Sequence, residues 1–162
     1  MKMARGKPAS VLVLSQYFHP EPNFITKDVA EMLAAEVPVT VITGHPNYPH
    51  GKFYKGTSWW RPVRTEENGV VVWRLPLVPD HSKSPGRRFL SYISFVGLAT
   101  LLGPWIGGRP DLVWVYHTPF TTALAALWFK FIRGSRLVYT CVDLWPESFA
   151  ASGVTSSGLL MR

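Results

Sequence analysis

The residues best equipped for chemistry lie in one stretch, residues 43–56, which reads T-G-H-P-N-Y-P-H-G-K-F-Y-K-G. His45 and Asn47 supply directional hydrogen bonds, Tyr48 a flat face and Lys52 a positive charge. Proline and glycine hold such a loop in defined bends. A second stretch, Y-F-H-P-E-P-N at residues 17–23, leads into an expected helix. The free N–H groups and dipole of a helix start favour an anion such as a phosphate. Asn23 is explained equally well as an N-cap of that helix. His117, in V-Y-H-T-P, lies just past an expected strand. A histidine there can donate to a hydroxyl or act as acid or base, or simply be satisfied by a backbone carbonyl. D-L-W-P-E-S at residues 143–148 places Asp143 and Glu147 near a helix start, where capping accounts for both. The functional alternative is that Asp143 faces a cleft and orients a hydroxyl.

Other chemistries are not supported. His19, His45 and His50 lack the tight ligand spacing of a metal centre, so no metal is expected. The glycine-rich dinucleotide fingerprint and the P-loop are both absent, which argues against a dehydrogenase or an NTPase.

These loops need a scaffold. The chain has 162 residues, 47% hydrophobic and 17% charged, enough for one domain with a real core. Residues 10–15, 39–42, 69–74, 112–116 and 137–141 read as short apolar strands. Residues 24–36, 87–106 and 121–133 read as helices, the first with Ile25, Val29, Leu33 and Val37 near helical spacing and Pro38 as its stop. Asn68-Gly69 leads into the third strand. Strand–helix alternation predicts an α/β fold with a doubly wound, mostly parallel, Rossmann-like sheet. The loops 17–23, 44–64, 117–120 and 143–148 then converge on one rim, beyond the carboxyl ends of the strands.

The net charge is +7, and the pI is about 9.8. This balance suits nucleic acid, an anionic membrane or phosphorylated ligands. Arg61, Arg64, Arg74, Lys83, Arg87 and Arg88 are spread through the middle of the chain and form no nucleic-acid motif. Residues 1–8 form a basic extension before an apolar run too short for a secretory signal, and a cytoplasmic location is expected. The lone Cys141 fits a reducing compartment. Residues 89–107 carry no charge over the length of a membrane span, but Gly103, Pro104 and Gly107 break the end. Ser91, Ser94, Gly97 and Thr100 recur every third residue and would let the helix lie close to a neighbour. The expectation is a core helix whose entrance, with Lys83, Arg87 and Arg88, meets anionic headgroups.

Together the motifs resemble the family 4 glycosyltransferases, in particular the WbuB-like group of bacterial surface-polysaccharide enzymes. The carriers are S-Q-Y-F-H-P-E-P-N-F at 15–24, the 43–56 stretch, R-L-P-L at 74–77, L-S-Y-I-S-F at 90–95 and D-L-W-P-E-S at 143–148. Their order and spacing, more than any one of them, carry the likeness. Many relatives have paired glycines after the first strand, where this chain has Glu21, Pro22 and Asn23.

The resemblance implies the N-terminal, acceptor-side half of a GT-B fold over residues 9–154, a helix beginning at 155–162, and a C-terminal donor domain outside the sequence. It implies transfer of a sugar from a nucleotide-sugar donor to a lipid-linked or growing polysaccharide acceptor, with retention and without cofactor or required metal. His117 would touch the donor sugar or reacting region and Asp143 would orient the acceptor. Asn23 and Phe24 would lie near the donor diphosphate. His45, Asn47, Tyr48 and Lys52 would shape the acceptor side. Two alternatives stay open: a catalytically incomplete acceptor- or membrane-binding domain, and a basic nucleic-acid-binding domain. The second is disfavoured because the aromatics sit in proline-bent loops rather than on a reading surface.

Overall fold

In the computed structural model the described residues are 9–82, 84–116 and 119–141. Lys83, His117, Asp143, the basic extension at 1–8 and the expected final helix lie outside them. The elements run β1 (Val11–Leu14), α1 (Phe24–Ala34), β2 (Val39–Gly44), β3 (Val63–Glu67), β4 (Val70–Leu75), α2 (Pro85–Ile106), β5 (Leu112–Tyr116), α3 (Thr122–Arg133) and β6 (Arg136–Thr140).

The sheet order is β3-β4-β2-β1-β5-β6. All pairings are parallel except β3 with β4. β1 is buried throughout and reads as an unbroken apolar run, and β2 is buried almost throughout and is interrupted only by Thr40 and Thr43 before Gly44. From β1 the chain winds outward through β2 to β4. It then crosses along α2 to β5, on the other side of β1. The winding reverses between β1 and β5, so their carboxyl ends flank the topological switch point, where open α/β sheets bind ligands.

β3 corrects the expected loop, which ran to residue 64. Its sequence V-R-T-E-E alternates between half-buried and exposed, as an edge strand does, and its charges blunt the edge. Asn68 and Gly69, at φ 50° and 79°, form the two-residue turn into β4. Positive φ at both central positions matches the twist of paired strands.

Two apolar layers clamp the sheet. Val13, Val41, Val70 and Val72 pack with Ala30 of α1. Leu12, Leu14, Ile42, Val113 and Val115 pack on the other face with Phe95 of α2 and Phe129 of α3. Of the line expected for the α1 segment, Leu33 and Val37 pack against the layer that holds Ala30, but the fully buried positions of α1 are Thr26 and Ala30, and Ile25 is exposed. On α2 the buried line is Ser91, Phe95, Ala99 and Gly103, a spacing of four rather than three. Gly97 faces outward, with nothing within 4 Å of where its Cβ would be. Gly103 is the close approach, because a Cβ there would stand 2.8 Å from the Phe129 ring.

α2 is long and apolar enough to cross a membrane by composition, yet it packs on α3 and the sheet. Pro104 sits within it. The Arg133 guanidinium of α3 donates to the Pro104 carbonyl and so ties the two helix ends together.

Candidate functional site

The loops that follow β1 and β2 are built as one unit at the carboxyl edge of the sheet. Thr43 Oγ1 and Gly44 N both donate to the Gln16 carbonyl, at 3.1 and 3.0 Å. His45 N donates to Leu75 O at 3.0 Å, which extends the link to the end of β4. Gly44 is required here, because a Cβ would stand 2.2 Å from Leu77 Cδ2 and 3.0 Å from Gln16 O.

Glu21 is the hub. It is 1% exposed, and its Oε2 accepts Phe18 N at 3.0 Å. Its Oε1 accepts Asn47 N and Tyr48 N, both at 2.8 Å. Burial raises its pKa above the usual carboxylate value, while the three N–H donors and the Arg74 charge pull the other way. One buried side chain therefore fixes both loops.

Above this brace lies an aromatic cluster. The Tyr17 and Tyr48 rings are tilted with centroids 5.2 Å apart. Tyr48 meets His81 edge-on at 4.8 Å. Burial pushes the Tyr17 hydroxyl pKa well up, and the neighbouring Tyr92 and Glu21 push it the same way. Tyr17 therefore stays protonated. Tyr54 donates from its hydroxyl to Tyr48 O at 2.8 Å and holds the loop closed. Outside it, His50, Lys52, Phe53 and Tyr54 line an open groove of about 800 Å³.

The remaining expected site residues take diverse positions. His45 is 1% exposed and its Nε2 lies 2.9 Å from Arg61 O, so Nε2 carries the proton and donates. Burial lowers its pKa, and the nearby Arg74 charge lowers it further. Asn47 is buried, with its Nδ2 donating to His45 O at 2.9 Å. Tyr48 is half-buried and Lys52 is exposed. The structure thus brings His45, Asn47, Tyr48 and Lys52 into one loop, the first two facing inward and the last two available at its surface.

Asn23 occupies the N-cap position of α1 but makes no side-chain cap. Its Nδ2 donates back to Tyr17 O at 2.9 Å, which corrects the capping expectation. Phe24 beside it is 64% exposed. Arg87 and Arg88 are exposed at the start of α2, and Arg88 reaches the Tyr92 hydroxyl at 3.3 Å. Among the described residues no group of three or more His, Cys, Asp or Glu could hold a metal ion.

The sequence pattern of the glycosyl transferase 4-like domain matches residues 23–160. The chain belongs to this family. No curated protein matches it. As a family 4 glycosyltransferase domain, its Rossmann-like sheet is the α/β arrangement of one half of a GT-B enzyme. The match starts at Asn23, directly after Glu21 and Pro22. Glu21, Tyr17 and Arg74 of the glycosyltransferase rim lie inside the motifs that carry the likeness but are not among the expected site residues. The signal for Glu21 was an acid between two prolines in a short loop following a wholly apolar strand.

Proposed function

We propose that this glycosyltransferase domain forms the acceptor-side wall of an active site of the WbuB-like type. Its reaction is transfer of a sugar from a nucleotide-sugar donor to a lipid-linked or growing polysaccharide acceptor, with retention and without a required metal. The observation that carries this reading is the Glu21 brace. It makes the loops after β1 and β2 a single preformed surface beside the switch point. Preorganised positioning of this kind supplies much of an enzyme's rate.

In this reading Tyr48 and Lys52 contact the acceptor, and His45 and Asn47 hold the loop that presents them. The start of α1, at Asn23 and the exposed Phe24, lies near the donor diphosphate, where helix N–H groups favour negative charge. His117 touches the donor sugar and Asp143 orients the acceptor hydroxyl. A second α/β domain facing the rim holds most of the donor.

The domain works at the cytoplasmic face of an anionic membrane. Arg87, Arg88 and Lys83 meet the headgroups, and the apolar face of α2 and α3 meets the acyl boundary. Charge complementarity supports this occupant: Leu101, Trp105, Leu124, Leu127 and Phe131 are exposed there, and neither helix carries an acidic residue.

The test is transfer of a radiolabelled sugar to lipid-linked acceptor, by the chain alone and mixed with a separately produced second domain of the same family. Transfer is expected only in the mixture, with a raised acceptor KM in Tyr48→Ala and Lys52→Ala. Transfer by the lone chain would overturn the division of labour. An unchanged acceptor KM in both variants would overturn the acceptor assignment.

A further inference from the structure

Arg74 is an almost fully buried arginine. It lies near the end of β4, 8% exposed, at the rim rather than on the outer surface. Its Nη2 donates to His19 O at 2.8 Å and to Glu67 Oε1 at 3.0 Å. Its Nη1 is buried and has no partner among the described residues. A guanidinium presents five N–H donors in a fixed fork, and a buried donor left unmatched is costly.

The same arginine lines a cavity of about 340 Å³ between the loops that follow β1 and β2 and the β3 edge. Lys55, Thr57, Ser58, Thr65 and His45 line it too, and no carboxylate does. Glu67 balances part of the Arg74 charge but is not among the lining residues, and the Thr65 hydroxyl is committed to it at 2.9 Å. The Lys55 ammonium and the Thr57 and Ser58 hydroxyls have no protein partner among the hydrogen bonds and ion pairs of the described residues. A cavity with two cationic side chains, two uncommitted hydroxyls and no lining acid is built for negative charge.

We propose that this cavity is an oxyanion site, in which Arg74 and Lys55 hold a phosphate or carboxylate group. Thr57 and Ser58 add hydroxyl donors. The shared ligand chemistry is a compact anion with several acceptor oxygens, which guanidinium recognises through paired N–H bonds. Two sources fit: a phosphate carried by a phosphorylated ligand, or the carboxylate of an acidic sugar. The site shares His45 and its loop with the proposed acceptor wall, but anion binding there does not depend on the sugar-transfer reading.

Titration of the isotopically labelled full chain tests it without any transfer assay. Inorganic phosphate, inorganic pyrophosphate and glucuronate are added separately at constant ionic strength, with sodium chloride as control. The expected result is a saturable shift of the residue 54–58 amides and of the Arg74 side-chain resonances with at least one oxyanion and not with chloride. A response to the phosphates alone assigns the phosphate source, and one to glucuronate the carboxylate source. Lys55→Gln should weaken binding about tenfold, the size of one charge-assisted hydrogen bond. Arg74→Lys keeps the charge but removes the fork and should weaken it similarly. Lys55 is exposed, so its variant reads the site even where the Arg74 variant does not fold. No saturable shift with any of the three anions overturns the proposal, as does undiminished binding in Lys55→Gln.

Discussion

The Glu21 carboxylate accepts the Asn47 backbone N–H at 2.8 Å across 26 residues of sequence. With its bonds to Tyr48 and Phe18 it acts as the keystone of the rim. An amide in its place must turn N–H groups toward at least one N–H donor. Glu21→Gln should therefore destabilise the fold by about 1–3 kcal/mol. Urea unfolding checks this, and an unchanged midpoint would remove the keystone role.

His45 gives a pH dependence with a definite sign. Its pKa is lowered by burial from the ordinary value of 6.5. The unfolded chain therefore binds the proton more readily than the folded one. The contribution of the neutral ring is fully present above the ordinary histidine value and is lost as pH falls through the lowered one. Glu21, with a raised pKa, has the opposite sign in the adjoining acid range. Comparison with His45→Gln, whose amide can still donate to Arg61 O, isolates the imidazole. The variant should lose less stability than the parent on acidification below the histidine range, measured as urea midpoint against pH.

Gly44→Ala should cost about 1–3 kcal/mol, the usual range for overpacking. The offending atom is Leu77 Cδ2, a side-chain end, with the Gln16 carbonyl behind it. Leu77→Ala removes the nearer obstacle. The double variant should therefore be more stable than the sum of the single costs. Strict additivity would show that the clash lies elsewhere.

Vesicle binding tests the basic apolar face. Each Arg near an anionic surface contributes about 1 kcal/mol, so Arg87→Gln with Arg88→Gln should weaken binding to phosphatidylglycerol vesicles about 30-fold. Phe131, 84% exposed on α3, tests the apolar part. Phe131→Glu should reduce binding at high salt as well as low. Equal sedimentation of parent and both variants would refute the membrane assignment.

The parallel strands were legible in the sequence because a strand buried on both faces must be apolar throughout, as Val11–Leu14 is. β3 was hidden because its V-R-T-E-E pattern is that of a solvated edge, although Asn68-Gly69 marked the hairpin. The chemical richness of residues 43–56 was also legible, as residue types in bends. Which of them face inward was not, since His45 depends on Arg61 and Asn47 on Glu21. In the sequence Arg74 is one basic residue among several and the first of the R-L-P-L motif, with no sign that it is buried. Its burial depends on His19, 55 residues away, and no local pattern encodes that contact.

The antiparallel β3–β4 hairpin has an evolutionary consequence. Residues 45–62 leave the sheet at β2 and re-enter at β3, and both strands flank β4. The segment is thus a cassette anchored at both ends in the same ladder. Side-chain substitutions at its exposed residues 59–61 leave the Glu21 brace and the register of β1, β2, β4 and β5 untouched, whereas residues 45–48 are tied to Leu75 and Glu21. At those exposed positions, change in what the rim presents is uncoupled from the inheritance of the fold.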